Sequence, residues 1–321
     1  MKKIISRLIV FTVITVLTTP GCANFSNATV KVRVVDERGQ PIQGVRSKVM
    51  SLSMDDSNSK VGFTDTNGMY SVHLNKIFAE IGGFFEKSNY YKTSGDFWQW
   101  DKWGGVPPAN TNFIIVMKRI IEPVAMIKKD VSLIIPRLGE PVGFDLEVGD
   151  WVFPDGKGKI ADILFTQEGY FTSEKDYSFT LQAEFTTPEG GLQSFHIPSP
   201  YDSPSQLLRS ELPPPQIAPE SGYKKTFERF VRQKPTQRQG ETPYQATRRW
   251  IYRIRTVLDE EGKIVSANYG WTTDDIRFGI NADGTCRIVL NYYYNPAPQS
   301  RSLEPKEIAN KQAKDLPKGG D

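Results

Sequence analysis

The chain has 321 residues, 38% hydrophobic, 24% charged and 12% aromatic, with 26 Gly and 22 Pro. That balance belongs to a globular protein of about two domains, built from strands and turns rather than long helices. Lys and Arg number 40 against 37 Asp and Glu, but Lys2, Lys3 and Arg7 lie in the first 21 residues, which hold no acid. The remainder is neutral and gives no electrostatic reason to expect a nucleic-acid partner. Two histidines exclude a histidine-rich metal site, and two cysteines exclude a disulfide framework.

Residues 1–7 are basic, residues 8–17 (LIVFTVITVL) are an apolar run, and residues 18–22 (TTPGC) are mostly small. This is the three-part layout of a secretory signal. The apolar run is far short of the roughly 20 residues a bilayer span needs. Gly21-Cys22 resembles the end of a bacterial lipoprotein signal, although Thr19 stands where that signal usually carries Leu. The resemblance implies residues 1–21 as the leader, a diacylglyceryl group on Cys22, and attachment to the cell envelope through that lipid. By the same resemblance, Ala23 implies the outer membrane if the cell is Gram-negative. Several acyl chains hold durably where one holds weakly. An acylated Cys22 leaves Cys286 without a partner. Residues 22–29 then form a short tether.

Residues 30–35 alternate, with Val30, Val32 and Val34 on one face and Lys31 and Arg33 on the other. A turn at residues 36–39 leads to a strand over 45–53, a second turn at 64–68 leads to a strand over 69–74, and residues 113–117 (FIIVM) have strand character. Gly39 and Gly68 sit where tight turns need positive φ, and Asp65 can bond the turn backbone. The pattern Asp36, Gly39, Pro41-Ile42, Gly44-Val45, then Thr64-Asp65, Gly68 and Tyr70, resembles the carboxypeptidase regulatory-like domain. That resemblance implies a transthyretin-like β-sandwich over 28–119, with residues 76–110 as an insertion, in a module that is an accessory without catalysis. The insertion carries eight aromatics between 84 and 103, among them Trp98, Trp100 and Trp103. These faces suit packing within the sandwich or against a neighbouring domain. Their alternative role is contact with a glycan or an envelope protein.

A second all-β domain is expected over 122–296. Residues 177–185 read as a strand, and residues 198–219 hold seven prolines, which is an extended loop. Residues 250–258 place Trp250, Tyr252, Ile254, Thr256 and Leu258 on one face and Arg253 and Arg255, with Arg249, on the other. Residues 281–284 (NADG) form a hairpin turn, after which Cys286, Ile288, Leu290, Tyr292 and Tyr294 share a face. The stretch 143–165 resembles that of uncharacterised bacterial surface proteins carrying the same N-terminal module, a resemblance that implies no activity. Residues 297–321 are polar and lack aromatics, so a disordered tail is expected.

The expected class is therefore all-β, two sandwiches in tandem. No cofactor or metal is expected, and no peptidase: His73 and His196 stand in different domains with no carboxylate at metal-ligand spacing. Nor does the chain hold a G-x-S-x-G motif. Asp145, Glu147, Asp150, Asp155 and Asp162 are the candidates for an alternative, a hydrolase of envelope glycans, which requires two carboxylates facing one cleft. Gly149-Asp150 and Asp155-Gly156 read more simply as turns. Cys286 is expected buried and inert.

Overall fold

The computed structural model describes residues 26–51, 58–77, 80–99, 110–198 and 208–315. The first sandwich opposes two sheets. One has the order β4 (Met69–Ile77), β1 (Ser26–Val35), β7 (Asn110–Val116), with β7 parallel to β1. The other runs β14 (Arg209–Ser210), β6 (Thr93–Gln99), β5 (Glu80–Glu86), β2 (Arg46–Ser51), β3 (Ser59–Phe63). Val30, Val32 and Val34 are fully buried, as their alternation predicts, and pack with Val49, Leu74, Ile81, Phe85 and Ile115. Asp65 accepts hydrogen bonds from the amides of Asn67 and Met69 at 2.9 and 2.8 Å. Gly68 (φ 71°) turns there against Val34 O, where a Cβ would sit only 2.4 Å away.

Residues 80–99 of the expected insertion belong to the sandwich itself. β5 lies between β2 and β6, and Phe85 is fully buried in the core. Gly83 permits the close approach of β5 to Lys48 O that this placement needs.

The second sandwich opposes a five-stranded and a six-stranded sheet. The first has the order β10 (Asp150–Trp151), β9 (Val142–Asp145), β11 (Ile163–Ser173), β12 (Asp176–Phe185), β15 (Thr226–Gln233). In the other, β13 (Gly191–His196), β16 (Arg248–Leu258), β17 (Ile264–Thr272) and β19 (Cys286–Asn295) follow in order. One edge of β19 pairs in succession with β17 and β18 (Arg277–Ile280), and its other edge pairs with β8 (Ile127–Ile134). Cys286, Ile288, Leu290, Tyr292 and Tyr294 all face the core, against Phe144, Phe165 and Leu181.

The C-terminal segment is ordered as far as residue 315, which corrects the expectation of a disordered tail over 297–315. Residues 316–321 lie outside the described residues. Ser302, Leu303 and Glu304 are fully buried, and α1 (Lys306–Asp315) follows. Leu303 and Ala218 cover Tyr269, Trp271 and Tyr293 on the outer face of the six-stranded sheet, so this sandwich has a third layer. Trp271 stacks on Tyr293 at 5.0 Å and donates its indole N–H to Leu303 O at 3.2 Å.

The proline-rich loop ties the sandwiches together. Its residues Arg209 and Ser210 pair with Ser94 and Thr93, adding β14 to the first sandwich. Prolines cannot join a ladder as donors, and their carbonyls still need partners. Lys118 supplies them, its ammonium donating to the carbonyls of Leu212, Pro213 and Pro214 at 3.0, 3.0 and 2.7 Å. Burial pulls that ammonium down to about 8, against the attraction of Glu37. Glu304 completes the junction by accepting the linker amides of Ile121, at 3.1 Å, and Glu122, at 2.5 Å.

Candidate functional site

Three of the five candidate carboxylates converge, and they converge on an arginine. Asp145 ends β9, Glu147 follows in a turn, and Asp162 precedes β11. Arg255 reaches all three. Its Nη2 lies 2.8 Å from Asp145 Oδ1, its Nε 2.9 Å from Asp162 Oδ1, and its Nη1 is bonded to Glu147. The strand reading put Arg255 outside with Arg249 and Arg253. Instead, the β16–β17 pairing slips between Ile254 and Val257, and Arg255 takes a left-handed φ of 51°. A bulge of this kind reverses the alternation from that point on, which aims the guanidinium at the carboxylates.

The remaining lone pairs are occupied. Asp145 Oδ1 accepts the amides of Glu147 and Val148 at 3.0 and 3.1 Å, and Oδ2 those of Lys159 and Ile160 at 2.9 and 3.1 Å. Burial opposes ionisation of Asp145, but these amides and Arg255 hold it below the usual carboxylate range. Asp162 Oδ2 accepts Leu146 N at 2.9 Å. Burial is the stronger influence there and raises that carboxyl despite Arg255. Asp145 and Asp162 are buried, so the group that stands between them is a structural cation rather than a substrate. Asp150 and Asp155 stand apart. Asp150 caps its own turn through the amides of Trp151 and Lys157, and Asp155 pairs with Arg137 at 2.5 Å. The arrangement can hold two loops and a strand end in register, and it presents no pair of carboxylates to an open cleft.

A second centre escaped the sequence reading. Asp275, its side chain fully buried, accepts Trp250 Nε1 at 2.7 Å, Arg248 Nη2 at 2.8 Å, Arg229 Nη2 at 3.1 Å and Gln245 N at 2.9 Å. Burial works against its charge, yet these donors keep the carboxyl low. Arg229 and Arg248 lie over the Trp250 ring at 5.1 and 5.3 Å. Nothing local marks Asp275, because its donors come from β15, β16 and the loop before β16.

The other candidates fall as follows. His73 lies on the exposed face of β4 beside Thr29. His196 ends β13 opposite Arg248. Cys286 is buried and unpaired, and burial pushes its thiol up to about 12. Trp98 pairs with Ile81 near the end of β6, whereas Trp100 and Trp103, like Cys22, lie outside the described residues. Among the described residues, no three His, Cys, Asp or Glu side chains gather as a metal-ligand set.

No family model matches the chain, and no curated protein matches it. Partial likenesses to solved structures include 3-chlorocatechol 1,2-dioxygenase from Rhodococcus opacus, at 10% identity and TM-score 0.25 over 30% of this chain and 61% of that one. The shaft pilin SpaA of Lactobacillus rhamnosus GG shows 12% identity and TM-score 0.21 over 51% of this chain and 90% of the pilin. A DUF3823 family protein from Parabacteroides merdae shows 7% identity and TM-score 0.20 over 88% of this chain and all of its own. Likenesses this slight carry no inference about this chain, whose all-β class rests on its own strands and sheets.

Proposed function

We propose that the protein is a non-catalytic structural module of the cell envelope, exported by its leader and held at the membrane by a lipid on Cys22. The observation that carries the non-catalytic reading is the Asp145–Arg255–Asp162 centre. The best candidates for acid–base chemistry are buried, bonded to backbone amides and neutralised by an arginine. A second support is mechanical: β14, Lys118 and Glu304 join the two sandwiches at three separate places, which suits a spacer that must keep its shape. No helix among the described residues is long and apolar enough to cross a membrane. The proposed attachment rests on the basic, apolar and small stretches of residues 1–22 and on acylation of Cys22.

The test is fractionation with mass spectrometry. Wild-type protein is expected in the membrane fraction with an acylated N-terminal Cys22, and Cys22→Ser is expected in the soluble envelope fraction or the medium. A membrane-bound Cys22→Ser variant, together with wild type carrying no acyl mass, overturns the anchor. Turnover of envelope glycans that disappears in Asp145→Asn or Asp162→Asn, with folding intact, overturns the non-catalytic reading.

A further inference from the structure

From the outer face of β18 and β19 we infer a binding site for a carboxylate-bearing sugar ring, such as a uronic acid unit of an acidic polysaccharide. The site is independent of how the chain is anchored. In the β18–β19 ladder Arg277 stands opposite Val289 and Gly279 opposite Arg287. Phe278 and Ile288 face the core, so Arg277, Gly279, Arg287 and Val289 share the outer face. The two arginines are diagonal neighbours across that ladder, close enough to act on one ligand. Together with Thr242 and Tyr244 from the loop before β16, they line an open cleft of about 340 Å³, at the small end of the range for ligand pockets.

Charge selects the ligand. Arg277 and Arg287 line the cleft, and beside it Arg229, Arg248 and Arg249 pair with Asp274 and Asp275. Asp275 is consumed by Arg229 and Arg248. Asp274 is shared between Arg249 at 3.6 Å and Arg277 at 3.5 Å, and it also accepts the Tyr244 hydroxyl at 3.3 Å. Arg287 donates to the neutral hydroxyl of Ser132 at 3.1 Å, and among the described residues no carboxylate pairs with it. The neighbouring Arg232 is already matched by Glu241 at 2.6 Å, and Asp283 at the hairpin tip is bonded to Thr285. The excess of cationic forks beside an open cleft is complementary to a carboxylate, which guanidinium groups bind through paired hydrogen bonds.

Shape selects the ring. Above Gly279 there is open space: a Cβ built there meets no atom within 4 Å. A pyranose ring can lay one C–H face on this bare stretch of strand, with the Tyr244 ring as an apolar wall and Thr242 as a partner for a sugar hydroxyl.

The full-length protein in detergent is titrated by calorimetry with oligogalacturonate and hyaluronan oligosaccharides, with their methyl esters, and with an acidic peptide. Binding is expected for the free acids and not for the esters, and it weakens as salt is raised. Arg277→Ala and Arg287→Ala are each expected to lower affinity about tenfold. Gly279→Leu is the second variant. Gly279 needs no positive φ and has room above it, so the leucine leaves melting unchanged while it fills the floor and abolishes binding. Equal binding of acid and ester, retained binding in Gly279→Leu, or no binding by either saccharide overturns the site. Binding of the acidic peptide alone overturns the assignment to sugars.

Discussion

Arg255 meets Asp162 with two of its donors, Nε at 2.9 Å from Oδ1 and Nη2 at 3.0 Å from Oδ2. The Asp162 side chain is wholly removed from solvent, so removing the guanidinium leaves buried negative charge without a counterion. Arg255→Ala is expected to cost about 3–5 kcal/mol of folding stability. Urea denaturation checks it, and a loss below 1 kcal/mol contradicts a structural role for the pair.

The acid limb of stability is set by carboxylates with opposite signs. Asp145 and Asp275 have lowered carboxyl pKa values in the folded chain, so the unfolded chain takes up their protons first as pH falls. Their stabilisation is complete above the unfolded value, about 3.9, and is lost as pH drops through their folded values. Asp162 is raised, so the folded form binds its proton first, and its contribution is present below the unfolded value and declines as pH rises from there through its higher folded value. Denaturation at pH 7 and below pH 4 is expected to show a steep acid loss in wild type. Asp275→Asn should flatten that loss and lower stability at pH 7.

Cys286 lies on the core face of β19, 2% exposed. Native protein is expected to resist a thiol reagent at pH 8 and to react fully in denaturant, because the thiolate is disfavoured and access is closed. Mass spectrometry after a timed pulse reads the difference. Rapid native labelling contradicts the β19 register.

Phe84 and Phe85 separate packing from surface within the aromatic segment. Phe85 is fully buried and Phe84 is 44% exposed on the opposite face of β5. Phe85→Ala is expected to cost about 3–5 kcal/mol and Phe84→Ala less than about 1 kcal/mol, both by thermal or urea unfolding. Similar losses at the two positions contradict the facing of β5.

Glu304 tests the junction. Glu304→Ala removes the carboxylate to which the amides of Ile121 and Glu122 donate, at about 1–3 kcal/mol in all, while Glu304→Gln keeps an acceptor and loses less. Hydrogen exchange at those two amides should quicken in the alanine variant before exchange in either core does.

Period-two alternation made β1 and β19 legible, because each buries one clean face: Val30, Val32 and Val34 in one, Cys286 to Tyr294 in the other. The turns at Asp65 and Gly284 were legible because their residue types leave little choice of backbone. The bulge at Arg255 was not, since an arginine carries no preference for left-handed φ and only the distant Asp145 and Asp162 reward it there. The carboxylates were found as a group but not their occupant. β5 was hidden because Gly82-Gly83 dilutes its pattern, and the residues that need those glycines lie on β2 and β6. The C-terminal segment was misread for a related reason. Ser302 and Glu304 are buried by hydrogen bonds to residues far upstream, which hydropathy does not register.

The carboxylate that caps the linker is 182 positions downstream of the Glu122 amide it binds. A ribosome adding about 5–20 residues per second needs roughly 10–40 s to cover that distance. For that interval the Ile121 and Glu122 amides of a newborn chain wait for their carboxylate, whereas β14 and the Lys118 contacts use residues 209–214, which are made earlier. The Glu304 clamp is therefore the last of the three to close during synthesis, and a message truncated shortly before codon 304 yields a junction held by β14 and Lys118 alone.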